Sequence, residues 1–262
     1  MLARLRRWRE NRHIARLPVS HAQWEAAVSD WPVAARYRGE ARDRLRDMSL
    51  RFLLRKRFES GGGLVVDDRM QLRIATMAAV PVLELGLDWY EGWHSVILYP
   101  AEFVPDQEYE DEFGVVHHDR HPLSGEAWQQ GPVILSWEDV RAGTQEPGYN
   151  VVIHEMAHKL DMRADGPNGS PPLHRGMDPA EWRRVFTAAW EDMAQRVEVT
   201  ADESTLPMDP YALESPGEFF SVASETFFET PSRLAAVWPD LYRQLCLFYR
   251  QDPLATPGAK AF

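Results

Sequence analysis

The stretch Gly148-Tyr-Asn-Val-Val-Ile-His154-Glu155-Met-Ala-His158-Lys-Leu-Asp161 decides both the fold and the chemistry of this chain. Pro147-Gly148 breaks the preceding segment, and Asn150 is placed to cap the free amides of a helix starting just after it. His154 and His158 are four residues apart, so both imidazoles leave one helix face about a turn apart. Two nitrogen donors so placed suit a tetrahedral Zn2+ ion, whose Zn–N bonds are about 2.0–2.1 Å. Glu155 follows the first histidine, beside the position the ion leaves open, where a carboxylate can take a proton from water. The pattern is His-Glu-x-x-His, the zinc-peptidase signature. Such a short pattern also recurs by chance, and the surrounding residues decide its weight. Val151, Val152, Ile153, Met156, Ala157 and Leu160 predict a buried helix. Two unpartnered histidines there would be costly, whereas metal ligands are satisfied. The expectation is a zinc hydrolase.

The whole chain bounds that expectation. Its 262 residues can bury a substantial core as one large domain or two smaller ones. Composition is that of a globular protein, 44% hydrophobic and 26% charged. A net charge of −11 argues against a direct nucleic-acid partner, which would demand a basic face. The start is locally basic (Arg4, Arg6, Arg7, Arg9, Arg12, Arg16), and a solvated terminus explains it more simply than an anionic partner. It lacks a signal-peptide core, and no later run is apolar enough to span a bilayer. Cys246 is the only cysteine, so no intrachain disulfide can form, and its apolar-periodic surroundings make it a small core residue. The chain is expected to be soluble and cytoplasmic, with no membrane partner.

Along the chain, residues 20–58 predict helix, with Leu45, Met48, Phe52 and Leu53 as an apolar stripe. Gly61-Gly62-Gly63 ends that region, Leu64-Val65-Val66 suggests a short strand, and Asp67 or Asp68 opens a helix that Pro81 stops. Trp93–Tyr99 and Gly131–Trp137 are the strongest strand candidates. Between them, an acidic patch (Asp106, Glu108, Glu110, Asp111, Glu112) and a loose cluster of His117, His118 and His121 read as solvated loop. Asp165–Pro172 is a dense breaker run, hence another loop. Asp178-Pro-Ala-Glu181 is a capping box opening a helix through Trp182, Phe186 and Met193.

A catalytic zinc site needs a third protein ligand. No histidine follows His158 at metzincin spacing, and a glutamate from a later helix is the alternative. The candidates lie in Ser215-Pro-Gly-Glu218-Phe-Phe-Ser-Val-Ala-Ser-Glu225-Thr-Phe-Phe-Glu229, where Ser215 caps and Pro216 starts the helix. Glu218, Ser221, Glu225 and Glu229 share one polar stripe. Glu218 also fits a capping box with Ser215, and the stripe also fits a solvent face. The residues alone leave Glu218 and Glu225 equally placed as the ligand, and leave open that neither is. Asp161, three residues past His158, is on roughly the right face to orient that imidazole, and a capping or surface role fits it equally well.

Six runs occur together between about residue 80 and residue 253: Val82-Leu-Glu-Leu-Gly-Leu-Asp-Trp89, Trp128-Gln-Gln-Gly-Pro132, His154–Asp161, Pro216-Gly-Glu-Phe-Phe220, Ser224-Glu225 and Phe248-Tyr-Arg-Gln-Asp-Pro253. In these the chain resembles the Mlc titration factor A family of bacterial zinc metallopeptidases; its first sixty residues match weakly. The resemblance implies an α+β fold: a zincin-like, gluzincin-type core with a small mixed sheet at residues 61–262, and an N-terminal helical region, residues 1–60, packed on it. It implies zinc held by His154, His158 and Glu218, and Glu155 as general base. Asp161 and Glu225 are then expected to support the ligands from behind. The family is similar in turn to the catalytic domain of anthrax lethal factor, where a tyrosine seven residues before the glutamate ligand stabilises the oxyanion. Tyr211 stands seven before Glu218. The strand at 131–137 would correspond to the edge strand that pairs with extended substrates. The implied activity is aminopeptidase-like hydrolysis of peptide substrates, together with binding of a transcriptional repressor of sugar-uptake genes. The alternative is a non-catalytic regulatory protein that only sequesters that repressor.

Overall fold

The sequence's own breakers divide the expected long helix at 20–58 into three. These are α1 (His21–Val28), α2 (Pro32–Arg36) and α3 (Glu40–Arg55). Ser20 and Gln23 form a reciprocal capping box on α1, Pro32 takes the first position of α2, and Gly39 precedes α3 at φ +53°. The computed structural model describes residue 6 and residues 10–102, 107–110, 116–119, 125–127, 131–164 and 166–255.

The first strand is β1 (Arg57–Ser60), which no apolar alternation announced, because only Phe58 is even partly buried. The strand expected at 64–66 does not form, and Val65 is 83% exposed. Then follow α4 (Asp68–Ala79), β2 (Ser95–Tyr99), β3 (Gln107–Glu110), β4 (Val116–Asp119), β5 (Gly125–Ala127) and β6 (Val133–Ser136). Asp67 caps α4, its Oδ1 accepting from Met70 N at 2.8 Å. β3 and β4 pair antiparallel where a loop was expected. The side chains of Glu108, Glu110, His117 and His118 lie outside the description, as do Asp106, Asp111, Glu112 and His121 altogether. The chain is completed by α5 (Trp137–Ala142), α6 (Val151–Asp161), α7 (Pro179–Val199), α8 (Pro216–Glu229), α9 (Pro231–Val237) and α10 (Pro239–Tyr249). Asp178 caps α7 through Ala180 N, but Glu181 bonds Arg184 instead of closing the predicted box.

The fold is mixed α/β and mostly helical, around a four-stranded sheet of order β1-β2-β6-β5. β1, β2 and β6 are parallel (Phe58↔Val96, Val96↔Val133), and β5 runs antiparallel to β6 (Gly125↔Leu135). This corrects one expectation. The strand at 131–137 is an inner strand whose Val133 and Leu135 are buried, and among the described residues the outer strands of the sheet are β1 and β5.

Helix α6 packs against α8, and both press apolar faces into one core. From α8 come Phe219, Phe220, Phe227 and Phe228; from α10 come Phe248, Tyr249 and Cys246. The N-terminal helices are hydrogen-bonded into this core. Trp24 Nε1 donates to Thr76 Oγ1 on α4, and Arg36 donates to the carbonyls of Phe228 and Glu229. Among the described residues no helix is long and apolar enough to cross a membrane.

Candidate metal centre

Asn150 opens α6, its Oδ1 accepting from Ile153 N at 3.1 Å, and so sets the phase of the two histidines. Their rings are 4.8 Å apart between centroids, and the two Nε2 atoms face each other at 3.1 Å. Ser215 opens α8, its hydroxyl accepting from Glu218 N at 3.1 Å. The Glu218 side chain does not return to the cap as a capping box would require. It reaches across to α6, with Oε2 2.9 Å from His154 Nε2 and Oε1 3.2 Å from His158 Nε2. The structure therefore separates the two carboxylates that the sequence left equal. Glu218 meets the two Nε2 atoms, while Glu225 Oε1 lies 2.7 Å from His154 Nδ1, behind the ring.

These three residues are a donor set looking for a cation. One donor atom from each lies within 4.8 Å of the others. A tetrahedral ion with bonds of about 2.0–2.1 Å needs donors roughly 3.3 Å apart, close to the separations found. Two imidazole nitrogens this near cannot both point lone pairs at each other unless something positive lies between. Burial pulls the His154 pKa down, but Glu225 and Glu218 more than offset it and hold it well above its ordinary value. Burial likewise works to raise the Glu218 pKa, and the two histidines overcome it and hold the carboxyl far below the usual range. A metal in place of the shared proton meets the same demand without a charged imidazole, so the residues fit the group.

Glu225 fixes His154 from the far side. Its Oε2 accepts from Asn150 N at 2.6 Å, so the imidazole keeps Nε2 toward the centre. Asn150 Nδ2 donates to Glu229 at 2.8 Å, and Trp31 Nε1 donates to the same oxygen at 2.9 Å. Asp161 is placed differently from expectation. Its Oδ2 accepts from Gly169 N at 2.7 Å, and no hydrogen bond joins it to His158. His158 Nδ1 and Asp161 Oδ1 are both buried without a hydrogen-bond partner among the described residues.

Glu155 is 4% exposed, and its Oε2 has no hydrogen-bond partner among the described residues. Burial pushes its carboxyl up to about 6, against the pull of His154 and His158. It faces a cavity of about 830 Å³, whose lining includes all three donors, Gly125, Tyr211 and Val222. Tyr211 lies on a 3₁₀ turn, Pro210–Leu213, held by Asp209 Oδ1 accepting from Tyr211 N at 2.8 Å. Its ring is 6.2 Å from the His154 ring and half-exposed, and burial raises the phenol to about 12, with Glu218 and Glu155 adding to the shift. Sequence reasoning missed Gly125. The three-residue strand β5 brings it so close to α6 that a Cβ there would be 2.5 Å from Glu155 Oε1. So short a strand offers no periodicity to detect.

Two helical imidazoles and a carboxylate from another helix converge beside a buried glutamate whose Oε2 has no hydrogen-bond partner among the described residues, an arrangement that could hold a metal as metallopeptidases do. Comparison with known proteins agrees, and gives the particular kind. The chain belongs to the family described as glucose-regulated metallo-peptidase M90, matching it over residues 5–250. It is 41% identical to the Mlc titration factor A of Cronobacter sakazakii over 94% of this chain and 91% of that protein. It is 41% identical to that of Klebsiella pneumoniae over 88% of this chain and 87% of that protein, and 38% identical to that of Yersinia pestis over 95% and 90%. The family match starts at residue 5, so the first sixty residues, which share few obvious motifs, belong to it as well.

Proposed function

We propose that this protein is a zinc-dependent peptidase of zincin-like, gluzincin-type architecture. The observation that carries the reading is the convergence of His154, His158 and Glu218 beside the Glu155 carboxylate, whose Oε2 has no hydrogen-bond partner among the described residues, at one cavity wall. Zinc held there would supply Lewis acidity, acidifying water and polarising a peptide carbonyl. Glu155 takes the proton from the attacking water and passes it to the leaving amine, and its burial, which raises the carboxyl, favours taking up that proton. Tyr211 stays protonated at neutral pH and serves as a hydrogen-bond donor to the developing oxyanion. Glu225 holds the His154 ring in the orientation its role as ligand requires. β5, an outer strand of the sheet among the described residues, offers backbone groups to an extended substrate. An aminopeptidase-like preference is supported by Glu146, Glu203 and Asp209 on the cleft walls, which favour a peptide bringing its positive amino terminus.

A second activity rests on the relatives' name, which describes them as titrating Mlc. We propose that this chain also binds a transcriptional repressor, in the cytoplasm, through a surface that need not include the metal. Its net charge of −11 suits a basic partner domain. Comparing wild type with Glu155→Gln tests both. Zinc content and repressor pull-down should be unchanged while hydrolysis of a peptide p-nitroanilide is lost. Undiminished hydrolysis by the zinc-loaded variant would overturn the catalytic reading.

A further inference from the structure

The breaker run after α6 carries more order than a connecting loop needs. Gly169 N donates to Asp161 Oδ2 at the end of α6, and Gly169 O accepts from Trp182 Nε1 of α7 at 3.0 Å. Asp161 is fully buried. The same loop also meets the first turn of α8 at two reciprocal points. A Cβ on Gly169, whose φ is +75°, would be 2.5 Å from Pro216 O, and a Cβ on Gly217 would be 2.6 Å from Pro167 O. The obstructing atoms are backbone in both cases, so no side chain can swing aside to relieve the contact. Gly217 immediately precedes Glu218, and Asp161 lies three residues beyond His158.

We propose that the loop around Pro167–Gly169, clamped between Asp161 and Gly217, is a spacer that sets the distance between the helix bearing the two histidines and the helix bearing Glu218. Backbone in contact with backbone leaves little slack in one direction, and the Asp161 bond prevents the loop from lifting in the other. Donor separations of 2.9–3.2 Å have no room for a helix shift of even half an ångström if all three are to reach one ion. Gly169 and Gly217 are positioning residues on this view, acting through Glu218, and the inference rests on the metal-site reading given above.

Gly217→Ala separates this from ordinary packing. Position 217 has no positive φ, and alanine is the better helix former, so intrinsic preference favours the substitution and only the Pro167 contact opposes it. Zinc affinity would be measured by competition against a chelator, donor geometry by the visible bands of the cobalt-substituted protein, and apo-protein folding by circular dichroism and thermal melting. The expected result is at least tenfold weaker zinc binding with altered cobalt bands in a folded protein, within the range seen when groups supporting metal ligands are removed. Asp161→Ala, which leaves α8 untouched, should do the same and decides the matter if Gly217→Ala does not fold. Wild-type affinity and unchanged bands in the folded variants would overturn the spacer. Absence of zinc binding by wild type itself would instead overturn the metal-site reading, and the spacer with it.

Discussion

Replacing Gly125 by alanine places one methyl group against the proposed general base, and the structure gives the size of the collision. The new Cβ would be 2.5 Å from Glu155 Oε1, 2.9 Å from Glu155 Cγ and 2.8 Å from Val151 Cγ2. Ordinary contact begins near 3.4 Å, so the carboxylate must retreat by about 0.9 Å or β5 must lift off α6 by as much. Glu155 is buried, so its retreat means an off-rotamer side chain at about 0.5–1.5 kcal/mol, within the roughly 1–3 kcal/mol typical of overpacking. For a chain of this size that lowers the melting temperature by only several degrees.

Activity should suffer far more than stability. A catalytic group misplaced by about 1 Å loses on the order of 100-fold in rate, roughly 2.7 kcal/mol of barrier. The three atoms nearest the new methyl belong to Glu155 and Val151 and not to the proposed ligands, so metal content should stay at the wild-type level. The assay is steady-state hydrolysis of a peptide p-nitroanilide beside metal analysis and a thermal melt. The expected outcome is kcat down about 100-fold with full metal content. A variant that melts several degrees lower yet keeps wild-type kcat would refute the argument, because it would show that the Glu155 carboxylate can move without consequence for the reaction.

Three further outcomes follow from the same geometry. Glu218→Ala should abolish metal binding, while Glu225→Gln, which leaves one acceptor oxygen to serve both the Asn150 amide and His154 Nδ1, should weaken it by about 10- to 100-fold; chelator competition decides, and the reverse order would exchange the two roles. Tyr211→Phe should lower kcat by roughly 100-fold or more with little change in KM if the phenol donates only to the oxyanion. Glu229 should make stability pH-dependent. Burial raises it to about 7, against the Trp31 and Asn150 hydrogen bonds, from an ordinary value of 4.5. Between those values the folded protein holds a proton that the unfolded chain releases, so its contribution is full below 4.5 and is lost as pH rises to 7, by at most about 3 kcal/mol. Urea unfolding from pH 5 to pH 8 should show a shallower decline for Glu229→Gln than for wild type; equal slopes would remove Glu229 from the account.

What the sequence made legible was local periodicity and capping. The Asn150 cap, the phase of His154 and His158, the apolar flanks of α6 and the Ser215-Pro216 start of α8 all depend on residues within a few positions of one another, and all formed as expected. The relation between helices was not legible. Glu218 and Glu225 are seven residues apart on one stripe, and choosing between them takes the crossing of α6 over α8, which no local pattern encodes. The same gap explains the misplaced edge strand. Val133 and Leu135 suit an inner strand or a half-covered edge equally well, and three residues at 125–127 are too few to betray the strand that takes the edge. Asp161 finds its hydrogen-bond partner in the Gly169 amide, a contact the sequence hid because the breaker run read as slack chain. Gly169 of that run is spent on close backbone approach to Pro216 O, and Gly217 at the start of α8 answers it by approaching Pro167 O. A glycine-rich loop beside two ligand-bearing helices can therefore be a rigid part of the site, and the property that marks it is what a Cβ would strike.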